Sequence, residues 1–203
     1  LRKQASEIKI KITKDELDIL IQWLKKNSEY TGQYHQVDLY LEPKSNSFKF
    51  KNKLGFIDAS KYLKVRLTDQ KDYIISRTWY NDKKNSLDGL YYTETKVEVH
   101  DGRAALDLFL SLDYKLDTKI DKYKNVYKYN DYRIEIDEVD KLGVFVEIII
   151  NKKLKNPLNY KLQICELLKE IGLSNCEMQT RGYAVMSWNK KFDFTQKYYK
   201  VAN

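Results

Sequence analysis

An α+β fold built on a closed antiparallel β-barrel, with helices packed outside it, is the class that the sequence predicts. Three observations predict it. Strictly alternating stretches recur along the chain, beginning with "EIKIKI" at residues 7–12, and a period of two is the signature of a strand. Capped helical stretches are interspersed among them. Only 7 Gly and 2 Pro interrupt 203 residues, so the strands are long and unbroken, as in sheets that close or curve strongly.

The elements follow in order. After the first strand comes "TKDELDILIQWLKKN", where Thr13 can cap, Glu16 stands three residues later, and Leu17, Leu20, Ile21 and Leu24 form one apolar stripe. "YHQVDLYLE" and "YLKVRLTD" read as strands. "KDYIISRTWY" and "YYTETKVEVH" read as two more, flanking the polar loop "NDKKNSLDG". "DGRAALDLFLSLDY" is a second helix capped by Asp101. "KNVYKYNDYRIEID" holds two strands with a tight turn at Asn130–Asp131. "LGVFVEIIIN" is the strongest strand. "PLNYKLQICELLKEIG" is a third helix, opened by Pro157 and closed by Gly172. The tail from Gly182 adds one short element. The expected organisation is one domain over residues 1–203, with a core at about 5–170 and a C-terminal extension at 171–203.

Composition narrows the function. The formal net charge is +8, which suits polyanionic partners such as nucleotides, polyphosphate or nucleic acid. Lysine chosen for solubility accounts for it equally well. The two histidines, His35 and His100, and the two cysteines, Cys165 and Cys176, form no metal-ligand cluster and argue against zinc sites and Ser/Cys–His nucleophile systems. A reducing cytoplasm is the expected setting. No apolar run approaches the ~20 residues of a membrane span, and "LRKQAS" lacks the apolar core of a signal peptide. No membrane partner is expected.

The charges carry the signal. Alternation places Glu7, Lys9 and Lys11 on one strand face and Ile8, Ile10 and Ile12 on the other. Lys64 and Arg66 share a face, as do Glu94, Lys96 and Glu98, as do Lys122 and Lys124, and as do Arg133, Glu135 and Asp137. Each strand alone fits a solvated outer face. Five together admit another arrangement. A barrel covered by helices turns its apolar face outward to them, and its charged face then lines a lumen suited to phosphates and divalent metal.

With those strands in view, the chain resembles the CYTH group of triphosphate tunnel enzymes, which includes class IV adenylate cyclases, thiamine triphosphatases and inorganic triphosphatases. The family's opening Glu-x-Glu-x-Lys strand corresponds to Glu7-x-Lys9-x-Lys11, its aromatic acidic strand to "QVDLY", and its Leu-Arg-x-Arg strand to "LKVRL". Its Thr-x-Lys strand corresponds to Ile75-x-Arg77, its Arg-x-Glu-x-Glu strand to Tyr92-x-Glu94-x-Lys96, and its Lys-x-Arg pair to Lys122-x-Lys124. Asp137, Leu142, Gly143, Phe145 and Glu147 match the most specific stretch. The layout is most similar to the class IV cyclases.

By position, the resemblance implies Lys11, Arg66 and Asp137 as catalytic residues. It implies Lys9, Lys64, Arg77, Lys96, Lys122, Lys124 and Arg133 as phosphate ligands, and Glu7, Glu94 and Glu147 as metal ligands. Three family acids are replaced, by Lys9, Lys96 and Ile149. Losing three carboxylates and gaining two ammonium groups moves the lumen about five charge units toward positive. The implied cofactor, Mg²⁺ or Mn²⁺, is therefore weakened or lost relative to the family, unless Glu98 or Glu135 supplies the missing acid. The implied partner is a nucleotide or polyphosphate, ahead of nucleic acid, and the class IV cyclases imply a homodimer. Activity stays open between a cyclase-type lyase, a triphosphatase and a binder of a nucleotide second messenger or polyphosphate.

Overall fold

A computed structural model of the chain describes residues 3–4, 7–81, 90–151, 157–173, 177–179 and 181–197. The expected polar loop lies, from residue 82 on, outside the described residues, as does Cys176. The described elements begin with β1 (Lys3–Gln4), β2 (Glu7–Lys11), α1 (Lys14–Asn27), β3 (Glu29–Pro43), β4 (Lys49–Lys51), β5 (Ile57–Ala59), β6 (Lys61–Thr68), β7 (Asp72–Asn81) and β8 (Leu90–Val99). They continue with α2 (Gly102–Ser111), β9 (Tyr114–Tyr129), β10 (Tyr132–Val139), β11 (Gly143–Ile150), α3 (Pro157–Ile171), β12 (Glu177–Gln179), α4 (Tyr183–Trp188) and β13 (Thr195–Lys197). The fold is α+β and its described strand pairings are antiparallel, as expected. Among the described residues no helix is long and apolar enough to cross a membrane.

The chain divides into two compact units. The first comprises residues 1–5, 35–122 and 182–192; the second comprises 6–34, 123–181 and 193–203. The long strands β3 and β9 each contribute to both.

In the first unit the strand order is β1-β8-β7-β6-β3-β9. Its apolar face is set by alternation: Val37, Leu39 and Leu41 of β3 and Leu63 and Val65 of β6 pack with Ala105, Leu106 and Phe109 of α2. Asp101 caps α2 by accepting from the backbone N–H groups of Arg103 and Ala104. Gly102 leaves room at the first helical position, where a Cβ would press on the Leu67 side chain and lie 2.8 Å from Asp72 Oδ2. Its N–H donates to that Asp72 carboxylate at 2.9 Å. The helix is thereby tied to the β6–β7 turn.

In the second unit the order runs β9-β10-β11-β2-β12-β13. Ile8, Ile10 and Ile12 join Ile134, Ile136, Val146 and Ile148 in one buried face. Leu20 and Leu24 of α1 and Ile164, Leu167, Leu168 and Ile171 of α3 cover it. The Thr13–Glu16 capping box is formed as expected, which stabilises the start of α1 by ~1 kcal/mol. Asn130 takes the left-handed conformation, φ 49°, that the β9–β10 turn needs. Gly172 does the same past α3 at φ 92°. Cys165, expected in the core, is half-buried on α3. In both units the strands turn their apolar residues to the helices and their charged residues the other way.

Candidate functional site

Register decides which charges meet. In the second unit β10, β11 and β2 align Glu135, Glu147 and Lys9 in one row. Asp137, Phe145 and Lys11 form the next, and Arg133, Ile149 and Glu7 the row on the other side. Directly paired antiparallel residues share a face, so these rows make a single polar surface opposite the isoleucines. Three buried acids, Glu135, Asp137 and Glu147, have carboxylate oxygens all within 4.8 Å of one another. Glu135 is 2% exposed and Asp137 is fully buried.

Cations sit on these acids. Lys9 Nζ lies 3.1 Å from Glu147. Lys124 Nζ donates to Glu135 and lies 4.0 Å from Asp137. Arg133 Nε is 2.6 Å from the other Glu135 oxygen. Three carboxylates are thus balanced by two ammonium groups and a guanidinium. The donor set is right in type for a hard divalent cation, which takes several oxygens. The charge balance is less favourable, because an incoming metal competes with side chains already bound to the same oxygens.

The first unit has the opposite arrangement. Asp38 pairs in register with Arg66, and Tyr40 with Lys64. Both Asp38 oxygens accept from Arg66, Oδ1 from Nε at 2.6 Å and Oδ2 from Nη2 at 2.9 Å. Lys64 Nζ also donates to Oδ2, at 2.6 Å. Burial alone would raise the Asp38 carboxyl, but the Lys64 and Arg66 charges beside it outweigh burial and hold it well below the usual carboxylate range. Burial, reinforced by the Arg66 charge, lowers the Lys64 ammonium to about 7 despite Asp38. Burial and the Asp38 charge push the Tyr40 phenol up, so it stays protonated. This knot carries two cations on one acid.

The remaining expected residues fall as follows. Arg77 donates twice to one Glu94 oxygen, with Nη2 and Nε at 2.6 and 3.0 Å from Oε2, and its guanidinium lies 4.3 Å from the Tyr92 ring. Lys96 is exposed, its ammonium 3.6 Å from the Tyr73 ring. Lys122 is buried, its Nζ 4.9 Å from the Tyr183 ring. Lys11 and Glu7 are exposed. Of the three acids expected to hold metal, the structure places Glu147 in the carboxylate cluster, with Glu135 and Asp137. Glu94 instead belongs to an ion pair of the first unit. Glu98 is exposed and pairs with Lys71. Asp38 was not among the expected site residues, although its place between Val37 and Leu39 marks it as facing Lys64 and Arg66.

Comparison with known proteins follows the same lines. The model of the CYTH domain matches residues 4–183. A Methanocaldococcus jannaschii protein described as a candidate adenylate cyclase is 24% identical over 182 residues, covering 87% of this chain and 95% of that one. A solved protein of Pyrococcus horikoshii superposes with a TM-score of 0.69 at 21% identity, covering 91% of this chain and 98% of that one. A Hippeastrum candidate adenylyl cyclase, described as having a dominant triphosphatase activity, superposes with a TM-score of 0.65 at 15% identity, covering 92% and 96%.

Proposed function

The chain belongs to the CYTH domain family, and on that premise we propose that it binds a nucleoside triphosphate or related phosphoanhydride nucleotide and acts on it, as a class IV cyclase-like lyase or as a triphosphatase. The observation that carries this reading is the Asp38–Lys64–Arg66 knot. Its cations outnumber its acid, and Asp38 holds both in place before any anion arrives. Preorganised cations stabilise phosphoryl charge without reorganisation, which is most of what phosphoryl transfer asks of a protein. Arg66 offers a planar guanidinium for bidentate phosphate contact and Lys64 a point charge. Arg77, Lys96 and Lys122 extend the basic set of this unit.

In the cyclase reaction the ribose 3′ oxygen attacks the α-phosphorus, the α–β bridging bond breaks, and pyrophosphate leaves. In the triphosphatase reaction water attacks the terminal phosphorus and orthophosphate leaves. Glu135, Asp137 and Glu147 would hold a divalent cation, which when bound neutralises phosphate charge. Lys9, Lys124 and Arg133 on those carboxylates favour a second reading, in which the protein grips a nucleotide second messenger or polyphosphate with little or no metal.

The test is calorimetric titration with ATP, with and without Mg²⁺ or Mn²⁺, followed by chromatography of the mixture. Conversion to cyclic AMP and pyrophosphate, or to ADP and phosphate, identifies the enzyme. Metal-free binding with intact ATP selects the second reading. Arg66→Ala should weaken ATP binding about 10- to 100-fold, the ~1.5–3 kcal/mol of a charged hydrogen bond. Undiminished binding by a folded variant would remove Arg66 from the site.

A further inference from the structure

The short hairpin β4–β5 belongs to neither charged row, and it leaves apolar side chains in water. Phe50 is 47% exposed and Leu54, at the hairpin tip, 76%. The hairpin is anchored to the turn that follows α4. The Asn189 side chain accepts from the Ile57 N–H and donates to the Ile57 carbonyl, both at 2.8 Å. The Phe56 and Phe192 rings meet edge to face at 5.7 Å. Between hairpin and turn lies a cleft of about 420 Å³ lined by Lys49, Phe50, Lys51, Ile57 and Trp188.

The wall of the cleft is fixed. The Trp188 indole N–H donates to Thr118 Oγ1 at 2.6 Å and to Asp117 Oδ2 at 3.0 Å. Its ring stacks on Tyr62 at 22°. Lys49 is committed to this wall, since its ammonium pairs with Asp117 and lies over the Trp188 ring. The other lysines here are exposed. Lys51 and Lys53 stand on the hairpin and Lys190 and Lys191 on the turn, and none forms an ion pair among the described residues. Residues 48–61 and 182–192 together carry six lysines and a single acid, Asp58.

We propose that this surface is a binding site for single-stranded nucleic acid. A chain of phosphates suits a row of lysines without counter-charges, and unpaired bases offer flat faces to the exposed rings of Phe50 and Phe192. A duplex hides those faces in its own stack. An anionic bilayer would favour a convex apolar tip, whereas here Lys51 and Phe50 line one concavity. The site is distinct from the nucleotide-binding residues proposed above. The hairpin lies inside the CYTH match, which ends at residue 183, and Trp188 and the turn after it lie past that end.

The experiment is fluorescence anisotropy of a short labelled oligouridylate with the full chain, against a duplex of the same length and against phosphatidylserine vesicles. The expected result is preference for the single strand. Affinity should fall about 50-fold between ~50 and ~200 mM salt if four phosphates are neutralised, at a slope of ~0.7 per contact. Phe50→Ala should weaken binding at least about fivefold. Lys51→Glu should weaken it further and flatten the salt slope. ATP binding by both variants should match the parent protein. Absence of binding at low salt, binding indifferent to both substitutions, preference for duplex or vesicles, or parallel loss of ATP binding would each overturn the proposal.

Discussion

In the first unit one carboxylate, Asp38, lies between an ammonium and a guanidinium; in the second, three carboxylates share two ammonium groups and a guanidinium. Both sets are built the same way, from the polar face of antiparallel strands whose apolar face is covered by helices. The balance of charge differs. With Lys64 protonated, the Asp38 knot keeps an excess of one positive charge, so it is ready for an anion. The Glu135–Asp137–Glu147 cluster has its three charges offset by Lys9, Lys124 and Arg133, so an incoming metal must compete with those cations. The difference shows that a lysine in register with an acidic row supplies the counter-charge from within the sheet. Lys9 does this, because the register delivers its ammonium to Glu147.

The largest expected effect comes from removing the lone acid. Asp38→Ala leaves Lys64 and Arg66 facing each other without a counter-charge, and should destabilise the protein by about 3–5 kcal/mol in urea unfolding. Glu147→Ala should cost less, because two carboxylates remain beside its partners. Equal losses would erase the contrast between the two regions. Next in size is Lys9→Glu. It takes the second cluster from neutral to two negative charges, and Mn²⁺ affinity measured by calorimetry should rise roughly tenfold or more. An unchanged affinity would mean that the cluster is not where metal binds.

The smallest effect is with pH. Lys64, ordinarily at 10.5, sits at about 7 in the fold. Its folded value is lowered, so the folded state favours its neutral form. Stability from this group is therefore weakest below pH 7 and rises as pH increases from about 7 to about 10.5. Anion binding runs the other way, since the neutral amine no longer attracts phosphate. From pH 6 to pH 9, tripolyphosphate affinity should fall several-fold while the thermal midpoint rises, and Lys64→Met should remove both trends. Movement of the two in the same direction would sever the link to Lys64.

Much of this was legible in the residues. Alternation alone separates Ile8 and Ile10 from Glu7 and Lys9, and Thr13 and Asp101 announce their helices. Pairing across the sheet is another matter. That Lys9 faces Glu147, and that Glu135 completes the carboxylate cluster, depends on register between strands far apart in sequence, which no local pattern encodes. Asp38 reads as part of the aromatic acidic strand "QVDLY" but gains no role from it, because its partners Lys64 and Arg66 lie on another strand and only register brings them to it. The hairpin of β4 and β5 was invisible because three residues are too few to display a period, and its Lys–Phe alternation reads as any basic loop.

The pairing of β2 with β11 also sets a clock. Lys11 meets Phe145, so the first complete strand of the chain waits for a partner translated more than a hundred residues later. At ordinary ribosomal speed that interval is on the order of ten seconds. During it Ile8, Ile10 and Ile12 have no sheet to join, and closing so long a loop makes their docking intrinsically slow. Strand β2 is thus among the last to be secured in time, and its lysines sit where a nascent chain needs protection from edge-to-edge aggregation.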